Sequence, residues 1–144
     1  MVALALLFAL AAPARLSFAD LFDAGATLKP SARVLSLDGR RVRIDGFMAQ
    51  MEMPPQGAFW LCRTAVFADE AGGGTADLPP ERVLVTLTSP ATAEVTPIRG
   101  PIRVEGRLEV GRKVASDGTL SHFRIVLDPP RNIRPGSTLK KERK

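Results

Sequence analysis

The chain has little of several things that carry chemistry. Its 144 residues include one cysteine, one histidine, one tryptophan and no tyrosine. With Cys62 alone, no intramolecular disulfide can form and no thiolate cluster can hold zinc. With His122 alone, histidine-rich metal sites are excluded as well. Aromatics amount to 6% of the chain, few for a surface that stacks successive nucleotide bases. No apolar run reaches the ~20 residues that a membrane-spanning helix needs.

An excess of one charge is also missing from most of the chain. The formal charge is +5, which at first suggests a nucleic-acid partner. Residues 20–130, however, carry 13 Lys and Arg against 14 Asp and Glu. The basic excess sits in residues 131–144, with six basic side chains and one acid, Glu142. A nucleic-acid reader carries its basic patch on the domain that docks. A solvated tail is therefore expected, able at most to touch an anionic membrane surface, and no nucleic-acid partner.

The sequence does contain an apolar leader. Residues 2–12 form an uninterrupted apolar stretch, the length of the hydrophobic region of a secretory signal. Two small-residue patterns for cleavage follow it, Ala12-Pro13-Ala14 and Ser17-Phe18-Ala19. The second is preferred, because Asp20-Leu21-Phe22 reads as the start of a mature chain. Only Met1 precedes the apolar run, so the basic n-region of such a signal is lacking here. The expected division is a signal peptide over 1–19, one domain over 20–130 and a basic flexible tail over 131–144. A periplasmic or exported location follows from it.

The body reads as strands. Gly and Pro number twelve each, which favours turns and short strands. Val42 and Ile44 alternate with Arg41, Arg43 and Asp45, and Gly46 then interrupts the pattern as a bulge or bend would. Residues 58–63 and 82–88 form a second and third strand. In the fourth, 101–110, Ile102, Val104 and Leu108 face one way and Arg103, Glu105, Arg107 and Glu109 the other. An Asp117-Gly118 turn leads to the fifth, 122–127. Five strands with Gly46 and Gly106 mid-strand predict an all-β fold, a small five-stranded OB-like barrel with a short N-terminal helix within 20–35. A small sandwich is the alternative.

At this point the segment Leu37-Asp38-Gly39-Arg40-Arg41-Val42-Arg43-Ile44-Asp45-Gly46-Phe47-Met48 resembles the opening strand of a family of exported bacterial proteins. That family is a domain of unknown function with a single OB-like domain. Phe59-Trp60-Leu61, Arg82-Val83-Leu84-Val85 and Ile102-Arg103-Val104-Glu105-Gly106-Arg107-Leu108 resemble its later strands. Many members carry paired cysteines between strands two and three, where residues 66–74 have none. The resemblance implies an accessory role beside an envelope transport system, with an envelope protein as partner.

Candidate chemistry is sparse. Met48, Met51 and Met53, with Cys62 or His122, form a soft-ligand set that suits Cu(I); thioethers also fill irregular gaps in a core. Cys62 and His122 would need mutual reach and an orienting group to act as a catalytic pair, and no pattern places them together. The Gly72-Gly73-Gly74 stretch lacks the Lys-Ser or Lys-Thr end of a phosphate loop, so the 64–81 connection is expected as a solvated loop. Arg41, Arg43, Arg103, Arg107 and Arg124 share outward faces with Asp45, Glu105 and Glu109, a charge-paired surface. The reading is a non-enzymatic periplasmic binding module without a cofactor; the alternative is a copper binder using the methionines.

Overall fold

The computed structural model describes residues 12–25, 28–52, 55, 57–68, 78–87, 95–128 and 133–135. Residues 1–11 of the expected leader, Met53, the triglycine and most of the tail lie outside the described residues.

The chain is all-β, as its period-two patterns predict. Among the described residues the strands are β1 (Ala14–Arg15), β2 (Arg41–Met48), β3 (Gln50–Met51), β4 (Ala58–Cys62), β5 (Phe67–Ala68), β6 (Arg82–Thr86), β7 (Pro101–Val114), β8 (Leu120–Leu127) and β9 (Ile133–Pro135). Seven form one sheet in the order β1-β2-β4-β6-β8-β7-β9, with a further pairing between β2 and β7. The five expected strands are all present, and the sheet is wider than expected. β1 adds in parallel to β2, and β9 pairs with Ile102, Arg103 and Val104. Part of the tail expected to be free is thus a strand. β3 and β5 make a separate two-stranded ladder.

The main core lies where the alternation places it. Val42, Ile44 and Met48 of β2 meet Ile102, Val104 and Leu108 of β7, and Phe123, Ile125 and Leu127 of β8. The expected helix is smaller and later than its window. A 3-10 turn spans Phe18–Asp20, and the one α-helix among the described residues, α1, is Ala32–Ser36. The Ser31 hydroxyl caps α1 by accepting from the Val34 amide at 3.0 Å, satisfying a donor that has no partner within the helix.

Gly46 departs from expectation. β2 runs through it without a bulge, pairing Gly46 with Ile102. The glycine is needed for space, because a Cβ there would sit 2.8 Å from Phe18 Cε2 and 2.7 Å from the Cys62 carbonyl oxygen. Two apolar residues lie on the leader side of the expected division between residues 19 and 20. Leu16 and Phe18 are both buried in the main core.

The Asp117-Gly118 turn joins β7 and β8 as predicted, with Gly118 at φ 89°. Arg124 differs from its expected solvated place. The β7–β8 register shifts between Val110 and Lys113, which frees the Gly111 carbonyl from the ladder. Arg124 Nη1 donates to that carbonyl at 2.7 Å and to Ser121 Oγ at 3.1 Å, while Nε meets Glu109 Oε1 at 3.2 Å. Only 8% of Arg124 is exposed. Arg124→Met keeps the volume and removes these bonds, so it is expected to cost about 2 kcal/mol in urea unfolding. A loss below about 0.5 kcal/mol would show that water replaces the guanidinium.

Candidate functional site

β4 explains the site. Every residue of Ala58–Cys62 is buried, so both faces of this strand are covered. Phe59 and Leu61 enter the main core. Ala58, Trp60 and Cys62 point the other way into a second cluster with Ala49, Leu78 and Leu84, against which Met51 and Val66 pack. The connections on either side of β4 supply that cover. The Gln50 amide donates to the Val66 carbonyl at 2.9 Å, and β3 pairs with β5. The connection expected as a solvated loop is therefore anchored at both ends, by β5 and by the buried Leu78; its middle, residues 69–77, lies outside the described residues.

At the edge of this cluster is a cleft of about 220 Å³, walled by Phe22, Pro30, Trp60 and Phe123, with Arg82 and His122 among its polar groups. Phe22 meets Phe123 edge-on, with centroids 5.3 Å apart and planes at 76°. Arg82 lies across the Trp60 ring with its guanidinium carbon 5.1 Å from the centroid, a cation–π arrangement. Register accounts for this, since Trp60 pairs with Leu84 and Cys62 with Arg82. Arg82 is thus the diagonal neighbour of Trp60 on one face. Burial pulls the Arg82 pKa down. Its Nη1 donates to the Pro79 carbonyl at 3.1 Å. Among the described residues no carboxylate pairs with it. Trp60 Nε1 is buried and finds no acceptor there either.

Two other clefts are open. One of about 250 Å³ is bordered by Arg15, Ser17, Phe18, Arg43, Asp45 and Arg63. The hydrogen bonds from Arg103 at 2.8 and 3.1 Å, with help from the charges of Arg43 and Arg15, hold the Asp45 carboxyl below its usual range. The other, about 230 Å³, lies between Gly57, Leu87 and the 115–119 turn and is mainly apolar.

The methionine set is brought together only in part. Met48 and Met51 both border a hollow of about 20 Å³. Met48 is a core residue whose Sδ accepts from the Ile98 amide at 3.4 Å. Cys62 pairs across with Phe47 and Met48 with Leu61, so the thiol and the Met48 thioether belong to opposite faces of the sheet. Met53 lies outside the described residues. Among the described residues no group of three or more His, Cys, Asp or Glu is placed to hold a metal ion. Cys62 and His122 are on β4 and β8, with β6 between them, and His122 is exposed. The outward arginines are charge-paired for the most part, Arg41 with Asp128, Arg103 with Asp45, and Arg107 and Arg124 with Glu109.

These features define a small all-β domain with an aromatic cleft holding a half-buried arginine that no carboxylate pairs among the described residues. The chain shares its fold with a crystal structure of a DUF3299 family protein from Pseudomonas aeruginosa PAO1. The two are 19% identical, with a TM-score of 0.53, over 88% of this chain and 98% of that one. No family model matches the chain, and no curated protein matches it.

Proposed function

We propose that the protein is a non-enzymatic, periplasmic OB-like binding module that accepts an apolar partner bearing a carboxylate in the Trp60–Arg82 cleft. The partner fitted best is a protein segment of the cell envelope. An OB-like barrel is supported by the pairings, in which β2, β4, β6, β8 and β7 each pair with two others of the five and β6 pairs with β8 in parallel. The binding reading is carried by one observation, Arg82 lying on Trp60 at an apolar cleft with no carboxylate partner among the described residues. Burying a cation costs free energy unless an anion or hydrogen bonds offset it, and the Pro79 carbonyl satisfies only part of the guanidinium. A carboxylate with an apolar body would complete both halves. Export is supported by the apolar leader, and a non-enzymatic role by the separation of Cys62 from His122. A role without nucleic acid is supported by the pairing of the outward arginines with acids.

Trp60 is the only tryptophan, so all tryptophan fluorescence arises from the wall of this cleft. Titration with short apolar peptides should change that emission when the C-terminus is free and much less when it is amidated. Arg82→Ala should weaken binding of the free-carboxylate peptides by about 10-fold or more, the loss of one charge-assisted hydrogen bond. Equal affinity for the free and amidated forms would sink the reading.

A further inference from the structure

The geometry points to the Ala14–Arg15 peptide bond as the place where the leader is cut, leaving Arg15 as the first residue of the exported protein. The inference rests on the export reading given above and concerns which of two bonds is used. Both Ala12-Pro13-Ala14 and Ser17-Phe18-Ala19 offer small residues at the two positions that the cleaving enzyme reads. Both meet the small-residue rule, and although Asp20-Leu21-Phe22 favours the second as sequence, the fold favours the first.

Residues 16–19 are built into the domain. Leu16 is 2% exposed and Phe18 5%, both inside the main core. The Leu16 amide donates to the Arg43 carbonyl at 2.9 Å, and Arg33 Nη2 donates to the Arg15 carbonyl at 2.8 Å. The Ser17 amide and hydroxyl both donate to Asp20 Oδ2, at 3.0 and 3.1 Å. The Phe18 ring also packs closely on β2, where a Cβ at position 46 would sit 2.8 Å from Phe18 Cε2 as well as 2.7 Å from the Cys62 carbonyl oxygen. A cut after Ala19 would remove Leu16 and Phe18 and open a void against β2. A cut after Ala14 keeps both. It removes the partly buried Ala14 from the margin of the core, and with it the Ala14–Val42 pairing of β1, and leaves Arg15, which is exposed, at the free end. The new ammonium would join Arg15, Arg43 and Arg63 around the cationic cleft.

The test uses the gene in its own host, with intact mass and N-terminal sequencing of the protein recovered by osmotic shock. A chain beginning at Arg15 is expected. One beginning at Asp20 overturns the inference and leaves export standing. An uncut chain released by osmotic shock or held in the membrane also overturns it. A full-length chain confined to the cytoplasm overturns the export reading itself, and this inference with it. Ala14→Leu should accumulate precursor, whereas Ala19→Leu should be processed at the normal rate; the reverse pattern assigns the cut to Ala19. Independently, purified chain 15–144 should melt cooperatively. Chain 20–144 should melt at least about 15 °C lower or not fold. Melting of the two within a few degrees of each other would remove the structural basis of the assignment.

Discussion

Gly106→Ala is expected to unfold this protein, or to leave it barely folded, although it adds one methyl group. Gly106 lies where β7 pairs with both neighbours, opposite Val42 of β2 and Leu127 of β8. A Cβ there would overlap the Val126 carbonyl oxygen and sit 2.7 Å from Ile125 Cγ2 and 2.8 Å from the Val126 carbonyl carbon. Two of these three atoms are backbone in the adjoining strand. Backbone cannot rotate aside as a side-chain end can, so β7 and β8 must move apart or the ladder must break. Overpacking a tight core costs about 1–3 kcal/mol, and more where the obstacle is rigid. A domain of this size has only about 5–15 kcal/mol in total. The expected result is a loss of about 3 kcal/mol or more and a fall in melting temperature of over ~10 °C. Gly25→Ala is the control, because nothing lies within 4 Å of its Cβ; it should stay within about 0.5 kcal/mol of the parent. If Gly106→Ala melted beside that control, the close approach of β7 and β8 would not exist in solution.

The second large effect concerns Cys62, whose side chain is fully buried in the second cluster. Burial pushes its thiol up to about 11, against a smaller opposing pull from the Arg82 charge. An unfolded cysteine titrates near ~8.5, and only the thiolate attacks a disulfide reagent. At pH 8 the native thiol should react at least about 100-fold more slowly than the same chain in denaturant, from the thiolate fraction alone. Steric cover should slow it further. The linkage has a definite sign. Between about pH 8.5 and 11 the unfolded chain loses a proton that the native state keeps, so this group's contribution to stability is complete below that window and disappears across it. The total is about 3 kcal/mol, of which about 2 kcal/mol is lost between pH 8 and pH 10. Denaturation midpoints at those two pH values measure that part. Fast labelling of the native protein at pH 8 would show that β4 is open to solvent on its outer face.

How much of this could be read from the sequence varies from element to element. Strands β2, β6, β7 and β8 follow from period-two alternation of Val, Ile and Leu, β4 from its short apolar run, and the Asp117-Gly118 turn from its dipeptide. Those signals are local. The roles of Gly46 and Gly106 are not, since each is defined by a side chain or carbonyl from a distant segment. The place of Leu16 and Phe18 in the core was hidden for the same reason, as four residues of apolar pattern beside a leader look like part of the leader. The cleft was half legible. Trp60 with Cys62, and Arg82 with Leu84, share faces by parity, and pairing β4 with β6 sets Arg82 beside Trp60. What could not be read was that the outer face of β4 is covered, because the cover comes from irregular connections. Arg124 was misplaced because its parity is outward; the register shift in the neighbouring β7 turns the Gly111 carbonyl into an acceptor for it.

The β2–β7 pairing also governs the order in which the chain can fold. β7 and β8 are joined by a tight turn and can form as soon as both exist, on a timescale of about microseconds. β2 must wait for β7, with Arg41 opposite Arg107 and Phe47 opposite Pro101. Contacts so far apart along the chain carry a large loop-closure cost before they return any stability, which slows folding. A polypeptide delivered N-terminus first therefore holds β2 with one edge unpaired until its final third arrives, and its passage from linear thread to finished domain is timed by its C-terminal hairpin.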